Sequence, residues 1–268
     1  MRIATWNVNS VKQRLEHLLR VLREEAPDVL CLQELKCTDE AFPRIEVEAA
    51  GYNVVTHGQK AYNGVAILSK TPLEDVKTGL PGGDGDDHAR YVEAVVSVRS
   101  GVVRVASIYL PNGNPIGTPK LDYKLSWMER LRQHAAELLL LEEPVVLAGD
   151  FNIIPEAEDC KNPELWRNDA LFIAESRAKF REILNLGYSD AVRACDPASG
   201  LYTFWDNQAG CWQKNICIRI DHLLLSPQAA DRLVTYRIHK ETRGWEKPSD
   251  HVPVAIDLAI GQKLSAAA

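Results

Sequence analysis

Five short segments place amide, carboxylate or imidazole side chains directly after an apolar run: Trp6-Asn7-Val8-Asn9, Leu32-Gln33-Glu34-Leu35-Lys36, Gly149-Asp150-Phe151-Asn152, Arg219-Ile220-Asp221-His222 and Pro248-Ser249-Asp250-His251. Such groups supply oxygen donors for a hard cation and positions that accept or release a proton. The exits of buried strands are also where scaffolds of this class tend to hold ligands. Taken singly, each has an ordinary structural reading. Glu34 would be a solvated carboxylate, Asp150 a turn or helix-capping residue, and His251 a structural histidine. Only the set, in its order along the chain, makes a candidate site.

Elements must bring these segments together. Short apolar runs with β-branched residues predict strands over Arg2 to Val8, Asp28 to Leu32, Tyr52 to Thr56, Val65 to Leu68, Tyr91 to Val98, Val102 to Tyr109 and Val145 to Leu147. Further strands are expected over Leu201 to Trp205, Arg219 to Leu225, Tyr236 to His239 and Val252 to Leu258. Apolar residues repeating at three and four predict helices over Leu15 to Glu25, Leu121 to Leu141 and Lys179 to Leu186. The architecture is mixed α and β. With no low-complexity linker, residues 1 to 268 are expected to form a single domain, the last few residues being a tail. Asn7-Val8-Asn9 and Asp150-Phe151-Asn152 form a faint internal echo, with polar residues two apart on one face.

A 46% hydrophobic content over 268 residues suffices for a sizeable core. The longest aliphatic stretch, Leu138 to Leu141, is far short of the roughly 20 residues a spanning helix needs, so no membrane is expected. The N-terminus shows no secretory leader, and the six cysteines form no C-x-x-C pair. Reduced thiols and a cytoplasmic location are the expectation. A net charge of -6 requires any nucleic-acid face to be local.

In order and wording the five segments resemble the signature of the exonuclease III family of abasic-site endonucleases, over nearly the whole chain. Gly58-Gln59-Lys60, Asn63-Gly64-Val65-Ala66-Ile67, Tyr109-Leu110-Pro111-Asn112 and Tyr202-Thr203-Phe204-Trp205 reinforce the likeness. The resemblance implies an α+β, four-layer α/β sandwich, with two mostly antiparallel β-sheets face to face and helices outside. It also implies a metal-dependent DNA repair phosphodiesterase, acting on double-stranded DNA as 3′-5′ exonuclease, 3′-end processor and abasic-site endonuclease. Mg²⁺ is the expected cofactor, with Mn²⁺ as substitute. Glu34 is the first ligand candidate, and Asn7, Asn9, Asp250, Asp150 and His251 could complete or support the centre.

By the same resemblance Asp150 orients or deprotonates the attacking water and Asn152 holds nucleophile or phosphate. His251 donates to a phosphate oxygen with Asp221 behind it, and Tyr109 bonds the scissile phosphate. Asp159 matches a carboxylate of the nuclease centre. Asn112 and Lys120 are expected at the DNA, and Phe204, Trp205 and Ile218 match the region of a pocket for a flipped abasic sugar. Strand alternation would put at least one of Phe204 and Trp205 in the core. In the loop Cys160 to Asn168, either Arg167 or Trp166 is expected to narrow that pocket and favour 3′-end processing over internal incision. The expected partner is a duplex with abasic sites or with damaged or recessed 3′ ends, bound by a monomer. Sister phosphodiesterases and phosphatases share such a metal centre, and a catalytically silent DNA-binding relative would keep the groove without the chemistry.

Overall fold

The structure is a computed structural model that describes residues 1–98 and 101–260; the expected C-terminal tail lies outside the described residues. Among the described residues twelve strands form two six-stranded sheets. The first sheet holds β1 (Arg2–Asn7), β2 (Val29–Gln33), β3 (Asn53–His57), β4 (Val65–Ser69), β11 (Leu233–Ile238) and β12 (Val254–Leu258), in the order β11-β12-β1-β2-β4-β3. The second holds β5 (Leu73–Thr78), β6 (Tyr91–Val98), β7 (Gly101–Tyr109), β8 (Val145–Asp150), β9 (Ser189–Asp190) and β10 (Asp221–Leu225), in the order β5-β6-β7-β8-β10-β9. β1 and β2 run parallel, as do β7 and β8, and the remaining pairings among the described residues are antiparallel.

Alternation along the strands builds the layers. Ile3, Val29, Cys31, Val65 and Ile67 from one sheet meet Val103, Val105, Val146, Ala148 and Leu223 from the other in a shared core. The intervening residues Ala4, Trp6, Leu30 and Leu32 point outward, onto a cluster with Leu18 and Val21 of α1 (Leu15–Glu24) and Val47 of α2 (Arg44–Ala49). Ala106, Ile108, Leu147 and Leu224 likewise meet Trp127, Met128 and Leu131 of α3 (Pro119–Leu139) and Phe180 and Ile183 of α4 (Ala174–Asn185). The result is the four-layer sandwich that the resemblance implies.

The crossover α1 joins β1 to β2 as α3 joins β7 to β8, so the two sheets repeat one connectivity. On that correspondence β8 is the counterpart of β2, whereas the sequence echo pairs the ends of β1 and β8 and so links strands that are not equivalent. Residues 201–205 do not form the expected strand. Phe204 makes only isolated bridges, to Ile218 on one side and His251 on the other. The strand β5 escapes periodicity because it is a bulged edge strand, largely exposed, whose sequence Leu-Glu-Asp-Val-Lys-Thr carries charge on both faces.

Candidate active site at the strand ends

The inward faces of four strands change from apolar to polar at the same end of the sandwich. Alternation continues Ile3 to Thr5 to Asn7, Cys31 to Gln33, Val105 to Ser107 to Tyr109, and Ala148 to Asp150. Gln33 Nε2 donates to Thr5 Oγ1 at 3.1 Å and to Ser107 Oγ at 3.0 Å, a buried amide layer that ties the sheets together directly below the site. Above it, Tyr109 and Asp221 are the register partners of Asp150 on either side within the second sheet.

Asn7 joins the two halves. Its Nδ2 donates to Glu34 Oε1 and to Asp150 Oδ2, both at 2.9 Å. Lys36 pairs with Glu34 at 2.8 Å. Burial alone would raise the Glu34 pKa, but the Lys36 charge and the Asn7 hydrogen bond outweigh it and hold the carboxyl below its ordinary value. Asn9 Nδ2 donates to Asp250 Oδ1 at 3.0 Å, while its amide oxygen accepts from Lys36 at 2.5 Å. Both polar ends of Asn9 are thus engaged in positioning neighbours.

His251 Nδ1 lies 2.9 Å from Asp221 Oδ2, and its Nε2 lies 3.6 Å from Asp150 Oδ2. Burial would depress the imidazolium, yet the charges of Asp221 and Asp150 raise its pKa well above the usual histidine value. Asp150 moves upward too, first because it is buried and then because Asp221 repels it. The Tyr109 hydroxyl is pushed well above its ordinary value by burial and by the charges of Glu34 and Asp150. Asn152 adopts a left-handed backbone, φ +48°. Its Nδ2 donates to Leu110 O at 2.9 Å and its Oδ1 accepts from Asn112 Nδ2 at 3.2 Å.

Ligand atoms of Glu34, Asp150 and His251 come within 4.8 Å of one another. Carboxylate oxygens aimed into one space fit a hard divalent cation. The imidazole fits less well, since a hard cation such as Mg²⁺ prefers oxygen donors to nitrogen. Beside this centre, Trp166, Leu171, Phe204 and Ile220 wall a cavity of about 250 Å³ that Asn114, Asp169 and Asp206 also line. The Phe204 ring meets the His251 ring edge-on at 4.8 Å.

Several expectations are corrected. Asp159 lies outside the centre: Arg219 Nε and Arg193 hold its carboxylate at 2.7 and 2.5 Å. Ile218 is fully buried behind the wall with Cys160 and Leu171, and Ile220, two residues on, takes its place at the cavity. Trp205 packs into the core against Cys217 and Val252, leaving Phe204 as the aromatic wall. Arg167 points away, its side chain 70% exposed and paired with Glu164 at 2.6 Å, so it cannot narrow the pocket; Trp166 lines it. Lys120 is exposed outside the cavity lining, open to the DNA contact expected of it, and one turn further on Lys124 donates to the backbone carbonyls of Asn112 and Asn152. Sequence reading missed Lys124. The signal was there, because Lys124, Trp127, Met128 and Leu131 fall on one helical stripe.

The pattern of the Endonuclease/Exonuclease/phosphatase family matches residues 4–251. The chain belongs to that family. Among relatives in the endonuclease/exonuclease/phosphatase family, exodeoxyribonuclease III of Haemophilus influenzae is 31% identical, over 95% of this chain and 98% of its own. A 3′ phosphatase, NExo from Neisseria, solved with a product DNA hairpin, superposes with a TM-score of 0.93 at 38% identity, covering 96% of this chain and 99% of that one. An AP endonuclease from Archaeoglobus fulgidus gives 0.92 at 35% identity, covering 97% and 100%. The family's sandwich is therefore the fold of this chain, and nuclease-type hydrolysis is its chemistry. All six cysteines are free, and no helix among the described residues is long and apolar enough to cross a membrane.

Proposed function

We propose that this family member hydrolyses phosphate esters at the 3′ ends of double-stranded DNA, with incision at internal abasic sites as its lesser activity. The observation that carries the preference is Trp166, whose indole walls the cavity beside Asp150 and His251 where an extruded sugar would enter. The likeness to a Neisserial 3′ phosphatase at 38% identity supports it. The second reading, a full abasic endonuclease, is favoured by the apolar surfaces of Phe204, Leu171 and Ile220 in the same cavity and by the Archaeoglobus relative.

Glu34, with Asp150 and Asp250 beside it, would hold Mg²⁺ or Mn²⁺. Such a cation, when bound, neutralises phosphate charge and stabilises the departing 3′ oxygen. Asp150, oriented by hydrogen bonds from Asn7 Nδ2 and the Asn152 N–H, accepts the proton of the attacking water. Protonated His251 donates to a phosphate oxygen from Nε2 while Asp221 accepts from Nδ1 and fixes the orientation of the ring. Asn152 and Tyr109 hydrogen-bond the phosphate, and Asn7 keeps Glu34 and Asp150 in register. Asn112 meets the DNA backbone. We place this work in the cytoplasm, performed by a monomer.

The test is phosphate release from a duplex with a 3′ phosphate, with Mg²⁺ and with chelator. Release only with metal is expected. Duplex retention in chelator, with no turnover in any divalent metal, would mark a silent binding relative.

A further inference from the structure

Lys124 sits on the buried stripe of α3 with no exposed surface. Its Nζ donates to the backbone carbonyls of Asn112 at 3.0 Å and Asn152 at 2.7 Å. Neither carbonyl has another hydrogen bond among the described residues, and no carboxylate there forms an ion pair with Lys124. A cation buried this way is costly. Burial drops its pKa to about 7, the charges of Asp169 and Asp150 offsetting only part of the penalty. An apolar side chain on this stripe would avoid that cost, so the ammonium must serve the two carbonyls it meets.

Those carbonyls belong to the two loops that carry the phosphate side of the site. Asn152 has all its side-chain contacts on them, through Leu110 O and Asn112 Nδ2, and its backbone N–H donates to Asp150 Oδ1 at 2.9 Å. Its backbone is left-handed, a conformation asparagine adopts more readily than most residues, and the carbonyl of that turn is the one Lys124 meets. Gly113, φ +88°, lies directly on the lysine stem. A Cβ there would come 2.6 Å from Lys124 Cδ and 3.2 Å from Ala170 Cβ. The loop is laid over the lysine with no room for a side chain between them.

We propose that Lys124 is a positioning residue for the hydrolysis: one buried ammonium fixes the Asn112 and Asn152 loops together and so sets the direction of the Asn152 side chain and of Asp150 beside it. The inference rests on the reading of this pocket as a DNA phosphoesterase site.

Lys124→Met keeps the length and apolar packing of the stem and removes the donor. On the 3′-phosphate duplex, kcat per folded molecule is expected to fall about 100-fold with KM changed less than about twofold, as loss of alignment does. Because Lys124 acts through Asn152, Lys124→Met should lower kcat far less in an Asn152→Ala background than in the wild type. A merely structural lysine would lower Tm and leave kcat per folded molecule at the wild-type value. That result for Lys124→Met overturns the proposal, as does a loss that adds in full to that of Asn152→Ala. Wild-type protein inactive on every duplex would overturn the reading of the site, and the inference with it.

Discussion

The Nε2 of His251 faces Oδ2 of Asp150 across 3.6 Å. The proposed base and acid thus stand side by side: burial and the charge of Asp221 raise the Asp150 pKa against the pull of the imidazolium, while the charges of Asp221 and Asp150 raise that of His251 against the cost of burial. Neither titrates alone, and the pair is set by Asp221, which touches His251 and repels Asp150.

Asp221→Asn removes the charge that keeps His251 protonated. Its imidazolium pKa then falls, so the alkaline limb of the kcat/KM profile is expected at lower pH, with a lower plateau. A profile whose alkaline limb stays in place would show that another group donates to the phosphate.

Asp150→Asn keeps the shape and loses the base. Binding of duplex should persist, while cleavage slows by about three orders of magnitude or more, as removal of a group acting in the transition state does. Gel shift and single-turnover kinetics on one preparation separate the two. Turnover near wild type refutes the assignment.

Trp166→Ala opens the cavity wall and is expected to raise the ratio of abasic incision to 3′-end processing. Arg167→Gly should leave that ratio unchanged, because the guanidinium points to solvent and Glu164. The reverse outcome would mean that the loop turns over on DNA.

Away from the site, Glu93 is buried between His134 at 2.7 Å, Tyr91 at 2.5 Å and Arg104 at 3.3 Å. Burial alone would raise its pKa, but the hydrogen bonds from His134 and Tyr91 and the nearby cations bring it to about 2. A carboxylate depressed in the folded state stabilises above its unfolded value and loses that contribution as pH falls through the folded one. The shift corresponds to about 3 kcal/mol at neutral pH. The difference in urea midpoint between wild type and Glu93→Gln should therefore be largest near neutrality and close between about pH 4.5 and pH 2. A difference independent of pH would show that Glu93 acts only through packing.

Much of this was legible in the sequence because β1, β2, β7 and β8 are buried runs of β-branched and aliphatic residues that end in polar ones. Asn7, Glu34, Asp150 and His251 advertise themselves by interrupting such runs. What stayed hidden depends on long-range partners or on direction. Asp159 reads as a free acid until Arg219, 60 positions away, folds onto it. Trp166 and Arg167 are neighbours in sequence, but successive helical side chains diverge by about 100°, so one faces the cavity and the other solvent. Strand β5 is an exposed edge, where no buried pattern exists to be read.

The most direct measurement compares initial rates in Mg²⁺ on three end-labelled duplexes: a 3′ phosphate, a recessed 3′ hydroxyl and an internal abasic analogue. Removal of the phosphate or trimming of the recessed end should exceed incision at the analogue by at least about tenfold, a difference of about 1.4 kcal/mol in transition-state free energy, and chelator should abolish all three. Incision at the internal analogue as fast as 3′-end processing would contradict the role given to Trp166 and make this chain a full abasic endonuclease.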